Sequence, residues 1–177
     1  SNKLIISVID DLDNKVYEEN LIIKINQDFN NFIFNQLDYF LNKNIFKIEK
    51  KINNFIEKIF IILDYNDFFN FEISVKKNNY ENSINLKDLT RLLHDAKNYC
   101  KKTIDKKKIL HMIINNYNVD NKNYNYLPEG ISCNNFSLDI GFICISQETL
   151  VNLEKIFKKY QISLGKVVSA VYIKKFL

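Results

Sequence analysis

Hydrophobic positions along the chain follow first a strand period and then a helix period. Residues 4–9 and 16–25 are rich in β-branched side chains, and the polar run at 11–15 suits a turn, so we predict a β-hairpin. From Asp28 onward the apolar residues recur at helical spacing, which fits either one bent helix or two separate helices. They form two stripes, namely Phe29, Ile33, Leu37, Tyr39 and Phe40, and then Ile45, Ile48, Ile52, Phe55 and Ile59.

Beyond Ile59 the period changes to that of β-strands. An apolar run reaches Leu63, and residues 69–75 then alternate strictly between apolar and polar side chains. This pattern predicts two antiparallel strands. Residues 77–83 are polar and carry no period, so we place the domain boundary there.

The rest of the chain predicts a compact α+β unit with its own core. Asn85 can cap a helix, because Asp88 lies three residues further on, where a capping box places its acid. Its buried stripe would be Leu86, Leu89, Leu92, Leu93, Ala96 and Cys100. A strand follows from Ile109, and residues 115–135 read as a loop or a ragged hairpin. The pattern then predicts a strand at 136–145, a helix at 147–160 and a closing strand at 165–168.

Composition and charge narrow the classes of protein. Hydrophobic residues make up 46% of the chain and charged residues 26%, which is typical of a globular protein. The net charge is only +4 and Arg91 is the single arginine, so we expect no nucleic-acid partner. The 3 cysteines include no C-x-x-C pair, which indicates reduced thiols in a cytosolic compartment. No apolar run approaches the length of a membrane-spanning helix.

Candidate chemistry is sparse. His94 and His111 have no second histidine or cysteine at metal-ligand spacing, so we predict no metal site. Asp139-Ile140-Gly141 imitates a phosphate-loop triplet, but Phe142-Ile143-Cys144 continues the apolar alternation, which favours an ordinary strand. No spacing suggests a Ser-His-Asp or Cys-His set. We therefore expect no catalytic residue.

Six short segments stand in a particular order through the C-terminal half. They are Asp88-Leu89-Thr90-Arg91-Leu92-Leu93, Ile109-Leu110-His111-Met112-Ile113-Ile114, Tyr117-Asn118-Val119-Asp120, Pro128-Glu129-Gly130, Leu153-Glu154-Lys155 and Val167-Val168-Ser169-Ala170. Their order and spacing resemble the inserted subdomain of FtsA, the actin-like bacterial cell-division protein. At the N-terminus, Ser1-Asn2-Lys3 resembles the end of that family's first phosphate loop.

The resemblance implies a particular fold and a nucleotide contact. Residues 1–83 would be an incomplete actin-like, ribonuclease-H-like core subdomain to which residues 168–177 return. Residues 84–167 would be an inserted subdomain of the SHS2 type, a small antiparallel sheet with helices. Ser1 and Lys3 would be the cofactor-binding residues, because a lysine beside a glycine-bearing turn can hold a phosphate. The aspartate and glycine of that loop are expected upstream of Ser1, so we expect the chain to be a fragment.

The resemblance also implies a role without catalysis. In the intact family protein, ATP lies between two lobes, and no ATP is expected to bind stably to this fragment. The implied function is a cytoskeletal adaptor of cell division that binds other division proteins, including the tubulin-like ring protein FtsZ, and associates with itself. It would be cytoplasmic and peripheral to the inner membrane at the division site, attached through a C-terminal helix that we expect beyond Leu177.

Three alternatives remain open. One is an actin-like adaptor of type IV pilus assembly, which shares the core. Another is a fragment of an ATPase of the actin, chaperone and sugar-kinase superfamily, which would be an enzyme. The third is a stand-alone module resembling the strand-helix-strand-strand domain of an RNA-polymerase subunit, which a basic surface on one face of the sheet would favour.

Overall fold

The computed structural model describes residues 3–23, 29–64 and 68–174, without the side chains of residues 29–32. Within these ranges the chain is a mixed α+β protein, as predicted, with several small sheets and four helices. The elements are β1 (Lys3–Ile9), β2 (Lys15–Ile22), α1 (Phe29–Ile52), β3 (Lys58–Leu63), β4 (Phe69–Asn78), α2 (Leu86–Thr103), β5 (Lys107–Val119), β6 (Lys122–Tyr124), β7 (Asn135–Ser146), α3 (Gln147–Lys159), β8 (Ser163–Ser169) and α4 (Ala170–Lys174).

The chain divides into two compact units. The first unit comprises Ser1–Ile61 and Leu150–Val167, and the second comprises Ile62–Thr149 and Val168–Leu177. The chain therefore changes unit three times, within β3, near the start of α3 and within β8.

The first unit begins with the predicted hairpin. β1 and β2 pair antiparallel from Lys3 opposite Ile22 to Ile9 opposite Lys15. The turn between them is closed by Asp10, whose carboxylate accepts hydrogen bonds from the backbone N–H groups of Leu12 and Asn14. Short polar side chains commonly stabilise turns in this way.

The two apolar stripes belong to one continuous helix, α1. It ends at Ile52, and Asn53 then takes a left-handed conformation with φ of 53°, which stops the helix. Phe55 and Ile59, which the sequence assigns to the second stripe, lie outside it. Phe55 is 79% exposed, and Ile59 belongs to β3.

A buried asparagine connects α1 to the hairpin. Asn44 is fully buried, and its Oδ1 accepts a hydrogen bond of 2.8 Å from the Tyr17 hydroxyl. Its Nδ2 donates to the carbonyl oxygen of Phe40 at 2.8 Å. A buried amide must have such partners, since leaving it unpaired costs about 1–3 kcal/mol.

A second polar contact connects α1 to the C-terminal end of α3, whose buried stripe is Leu150, Leu153, Ile156 and Phe157. Asp38 accepts hydrogen bonds from Lys159 Nζ at 2.8 Å and from the Tyr160 hydroxyl at 3.0 Å. The bond from Lys159 lowers the pKa of Asp38. Burial and then the neighbouring Asp38 raise the pKa of Tyr160 to about 12, because both disfavour the phenolate.

The second unit is built on a four-stranded antiparallel sheet in the order β4-β7-β5-β6. α2 packs on one face of this sheet. Their shared core is Ile84, Leu92, Ala96, Cys100, Val119, Cys133, Phe136, Leu138, Ile140, Phe142 and Cys144. Along the chain, its main elements follow the order strand, helix, strand, strand.

The pairing of β3 and β4 differs from the prediction. Both strands form, but they do not pair with each other. β3 shares a two-stranded sheet with β8, and β4 pairs with β7 along its full length, from Phe69 opposite Cys144 to Asn78 opposite Asn135. Phe71 stacks on Phe142, with ring centroids 5.1 Å apart. Alternation reveals that a strand exists, whereas its partner is chosen by such contacts between distant residues.

Because β4 pairs with β7, the boundary between the two units also differs from the predicted one. The sequence placed a boundary within 77–83, which would leave residues 69–78 in the N-terminal subdomain. In the structure those residues form β4 of the second unit, and the first change of unit comes after Ile61. The polar run at 77–83 is therefore the connection between β4 and α2 within one compact unit.

Local expectations for the second unit are mostly confirmed. Asn85 caps α2 in a capping box, because its side chain accepts from Asp88 N and the Asp88 side chain accepts from Asn85 N. Leu86 was wrongly assigned to the buried stripe and is 59% exposed. The ragged hairpin is also present, since β5 continues to Val119 and pairs there with the short β6.

Replacing Tyr160 with phenylalanine tests the link between α1 and α3. We expect the Tyr160→Phe variant to lose about 1 kcal/mol of unfolding free energy at neutral pH, because one hydrogen bond to Asp38 is lost. The folded protein holds the phenol proton more tightly than the unfolded chain. The stabilisation that Tyr160 gives the wild type is therefore complete below pH 10.0 and is lost as the pH rises towards about 12. The variant lacks this contribution at every pH.

Urea unfolding at pH 8 and pH 11 measures both effects. Tyr39→Phe is the matched control, since Tyr39 lies on α1 and is 59% exposed. A stability difference between Tyr160→Phe and the wild type that is equal at the two pH values would contradict the assignment.

Candidate functional site

The residues predicted to contact a nucleotide lie at the N-terminus. Ser1 lies outside the described residues. Lys3 is the first residue of β1, is exposed, and stands opposite Ile22 of β2. Nucleotide contact through Ser1 and Lys3 stays a prediction.

Five of the six segments that carry the resemblance lie wholly or partly in the second unit. Residues 88–93 form the start of α2, residues 109–114 lie in β5, and residues 117–120 end it. Residues 128–130 belong to the loop before β7, and residues 167–170 run from β8 into α4. The sixth segment, residues 153–155, lies in α3 within the first unit.

Two of these segments meet at a buried histidine. His111 of β5 is 8% exposed, and its Nε2 accepts a hydrogen bond of 3.0 Å from the backbone N–H of Ser169. Its ring also stacks on Tyr172 of α4, with centroids 3.9 Å apart and planes 2° from parallel. Since Nε2 accepts a hydrogen bond here, it carries no hydrogen, and the proton of the neutral ring lies on Nδ1. The histidine is therefore a structural group, and it fixes the passage from β8 into α4.

The Pro-Glu-Gly segment is tied to the residue before the α2 cap. Gly130 N donates to Ile84 O at 2.8 Å, and Ile84 N donates to Ile131 O at 2.9 Å. Gly130 has a φ of +82°, a conformation that glycine adopts without strain. The loop therefore supports the start of α2.

Asp120, at the end of β5, holds the other end of this loop. Its carboxylate accepts hydrogen bonds from the backbone N–H groups of Asn134 at 3.1 Å and Asn135 at 2.8 Å. These two bonds lower the pKa of Asp120, because they favour the charged form. The carboxylate is thus part of the scaffold.

The face of the sheet opposite α2 is polar near its centre. Asn115 lies at a bulge in β5, and its Nδ2 donates to Glu72 Oε1 of β4 at 2.6 Å, across the central strand. Gly141 of β7 leaves room for this hydrogen bond. A Cβ there would lie 3.2 Å from Asn115 Nδ2, which is a tight contact. Asp139 accepts a hydrogen bond from Ser74 in the same face. The prediction that residues 139–141 form an ordinary strand is confirmed.

A cleft of about 360 Å³ lies where β4 leads into α2. We call it the β4–α2 cleft, and residues 76–80, 82, 91, 92 and 95 line it. Tyr80, in the connection, has a left-handed φ of 49° and is 76% exposed. Arg91 lines the cleft from α2 and is itself exposed. Exposed tyrosine and arginine are the side chains most often found at the centres of protein interfaces.

The base of the β4–α2 cleft is held by polar contacts. Lys77 of β4 forms an ion pair with Asp88 of α2. Asn79 is 1% exposed, and its Nδ2 donates to Asn82 O at 2.5 Å. No donor among the described residues reaches its Oδ1. A buried acceptor without a partner is uncommon. This oxygen is itself inaccessible, so it belongs to the base of the cleft and not to its exposed surface.

The cysteines of the described residues are poorly suited to nucleophilic chemistry. The three cysteines are free and buried, and burial raises the pKa of each thiol, that of Cys144 to about 12. Such thiols stay protonated and make poor nucleophiles. Within the described ranges no three His, Cys, Asp or Glu residues are grouped to hold a metal ion.

Sequence reasoning proposed no site at Arg91 or Tyr80. It named Arg91 as the single arginine and as part of a matched segment, and Tyr80 lies within the polar run that it took as the domain boundary. The missed signal lies in the polar connection itself, where Tyr80 and Glu81 both adopt left-handed backbone conformations. Such conformations leave no hydrophobic period in a sequence.

Replacing His111 with leucine tests the contact between β5 and Ser169. The apolar ring-sized space remains filled, but Ser169 N–H loses its acceptor, so we expect a loss of about 1–3 kcal/mol in unfolding free energy. Hydrogen exchange should become faster at Ser169 and in α4, as measured by mass spectrometry. The His94→Leu variant is the control, because His94 is exposed on α2. Unchanged exchange in α4 would show that His111 does not hold this segment.

Comparison with known proteins does not assign the chain to a family. No family model matches the sequence, and no curated protein matches it either. None of the helices in the described ranges is long and apolar enough to cross a membrane. The function is therefore inferred from the resemblance of the six segments and from the geometry of the second unit.

Proposed function

We propose that this chain is part of an FtsA-like adaptor of bacterial cell division that acts by binding other proteins. The observation that carries the proposal is the contact of His111 with Ser169, which joins two of the six matched segments in one buried site. Segments that match a family in order are expected to meet when they share its fold. The Pro-Glu-Gly loop adds support, because it contacts the residue that precedes the first matched helix.

The arrangement of the second unit also supports the proposal. The resemblance implies an inserted subdomain of the strand-helix-strand-strand type. In the second unit β4, α2, β5 and β7 follow one another in that order. The three strands belong to one sheet, and α2 shares a core with it. We therefore extend the proposed inserted subdomain to begin with β4, near residue 69, instead of residue 84.

The first unit, Ser1–Ile61 with Leu150–Val167, would be part of the actin-like, ribonuclease-H-like core. Residues 150–167 thus move out of the proposed inserted subdomain, and residues 168–177, expected to return to the core, move into it. Its β1–β2 hairpin, α1 and β3 supply strands and a covering helix for such a lobe. In the intact family protein ATP lies between two lobes, and Ser1 and Lys3 would stand at the edge of the phosphate loop. The proposed location is the cytoplasmic side of the inner membrane at the division site.

The β4–α2 cleft is the proposed contact surface of the inserted subdomain. It presents the exposed side chains of Tyr80 and Arg91. An aromatic ring and a planar cation suit a protein surface that carries a carboxylate. The proposed partners are another copy of the family protein and other division proteins, among them the ring protein FtsZ.

The polar centre of the sheet face opposite α2 disfavours the polymerase-like alternative. Two carboxylates, Glu72 and Asp139, lie near the centre of that face and would repel a phosphate backbone. A basic sheet face was the feature expected of that alternative. Binding to protein is the better supported reading.

The proposed contact surface can be tested by binding to an immobilised intact FtsA-family protein. We expect Tyr80→Ala and Arg91→Ala each to weaken this binding about tenfold or more, as is typical of residues at interface centres. Surface plasmon resonance measures the dissociation constants. Tyr126→Ala is the matched control, because Tyr126 is 69% exposed in the same unit and does not line the cleft. Failure of the wild-type chain to bind would overturn the proposed function, whereas equal losses in all three variants would overturn only the cleft.

ATP turnover provides a second test. The purified chain should release no phosphate from ATP above the rate of a protein-free blank, because the proposed ATP site needs groups from two lobes. A malachite-green phosphate assay measures this. Turnover that disappears in Lys3→Ala but persists in Lys15→Ala, a substitution in the other strand of the hairpin, would instead support the ATPase alternative.

A further inference from the structure

An apolar groove of about 490 Å³ lies in the first unit, bordered by β1 and β3. Its lining consists of residues 6–9, 41, 45, 48, 52, 55–60 and 162. The groove belongs to one compact unit and takes no part in the contacts proposed above. We call it the β1–β3 groove.

The two strands border the groove with their edges and not with their faces. Four consecutive residues of β1, 6–9, line it, as do the first three residues of β3, 58–60. Successive side chains of a strand point to opposite faces, so consecutive residues can line one space only where that space runs along the strand's edge. An edge presents unpaired N–H and C=O groups.

Both edges at the groove lack a strand partner among the described residues. β1 is paired with β2 on its other side, and β3 with β8. Gly165 of β8 shows how closely that side of β3 is occupied, because a Cβ there would come within 2.7 Å of the Lys58 side chain. Each strand has therefore one satisfied edge and one edge open to the groove.

The floor of the groove is an apolar stripe of α1. Leu41, Ile45, Ile48 and Ile52 follow at the spacing of one helix face, and Ile162 adds to them. Leu41 and Ile48 are each 2% exposed. The rim carries large apolar side chains open to solvent, with Ile9 58%, Phe55 79% and Phe60 69% exposed. Apolar residues that remain at the rim of an open groove indicate a binding surface.

We propose that the β1–β3 groove binds one extended peptide segment, which inserts between β1 and β3 and joins the two small sheets into one. The resulting order would be β2-β1-segment-β3-β8. The segment needs apolar side chains at alternate positions to pack on α1, and about four to six residues to match the bordering strands. Main-chain hydrogen bonds to both edges would supply affinity, and the α1 floor would select the side chains.

The occupant must have both of its own edges free. Every strand in the described part of this chain already pairs along at least one edge, so no folded strand of a second copy can satisfy β1 and β3 together. A small apolar molecule would cover the α1 floor but would leave both rows of backbone groups unpaired. A single extended segment meets both needs, and this inference is independent of the division role proposed above.

The test uses a synthetic peptide of about six alternating valine and threonine residues and the wild-type chain. We expect saturable binding by isothermal titration calorimetry, together with slower hydrogen exchange in both β1 and β3. The same peptide N-methylated at alternate positions cannot donate along one edge, so it should bind at least about tenfold more weakly. Protection confined to one strand, or equal affinity of the two peptides, would overturn the proposal.

A pair of variants on α1 separates the groove from general hydrophobic binding. Ile52→Lys places a charge in the lining and should weaken peptide binding about tenfold. Phe46→Lys is the matched control, because Phe46 is 74% exposed on the same helix outside the groove and should bind like the wild type. Analytical ultracentrifugation of the peptide-free chain completes the test. Self-association that Ile52→Lys abolishes would make a second copy the occupant and would overturn the peptide proposal.

Discussion

Pairing along both edges of β7 is the interaction on which the second unit depends. β4 covers one edge and β5 the other, and both pairings run over most of the strand. Alternate side chains of β7, from Phe136 to Cys144, are almost fully buried against α2. The strand therefore fixes the register of its neighbours and the position of the helix at once. A shift of one residue would turn this apolar row away from α2, so other registers are strongly disfavoured.

Polar contacts stabilise the ends of the strands and the start of α2. The Asn85 capping box starts α2, Asp120 holds the returning loop, and Lys77 pairs with Asp88. These contacts lie at the ends of β4, α2, β5 and β7, and they orient the segments between them. In the connection that borders the β4–α2 cleft, Tyr80 and Glu81 both have left-handed backbone conformations.

The sequence predicted individual elements well because their signals are local. The α2 cap, the alternation in β7 and the stripe of α3 each depend on residues within one or two turns or strands. Pairing was predicted poorly, as β4 shows, because its partner β7 lies far along the chain, with Phe69 opposite Cys144 and Asn78 opposite Asn135. The end of α1 was missed for a related reason, since Asn53 interrupts an apolar spacing that continues into β3. The cleft depends on both kinds of information, so only its separate residues could be read from the sequence.

The route of the chain between the two units bears on how the protein folds during synthesis. The sheet of the second unit and its helix α2 come from one uninterrupted stretch, Phe69–Ser146, so they can form as soon as that stretch leaves the ribosome. α1 is made before that stretch, whereas its partners Lys159 and Tyr160 follow it. α1 must therefore wait for these contacts while the sheet of the second unit folds, although the β1–β2 hairpin is already there to pack against it.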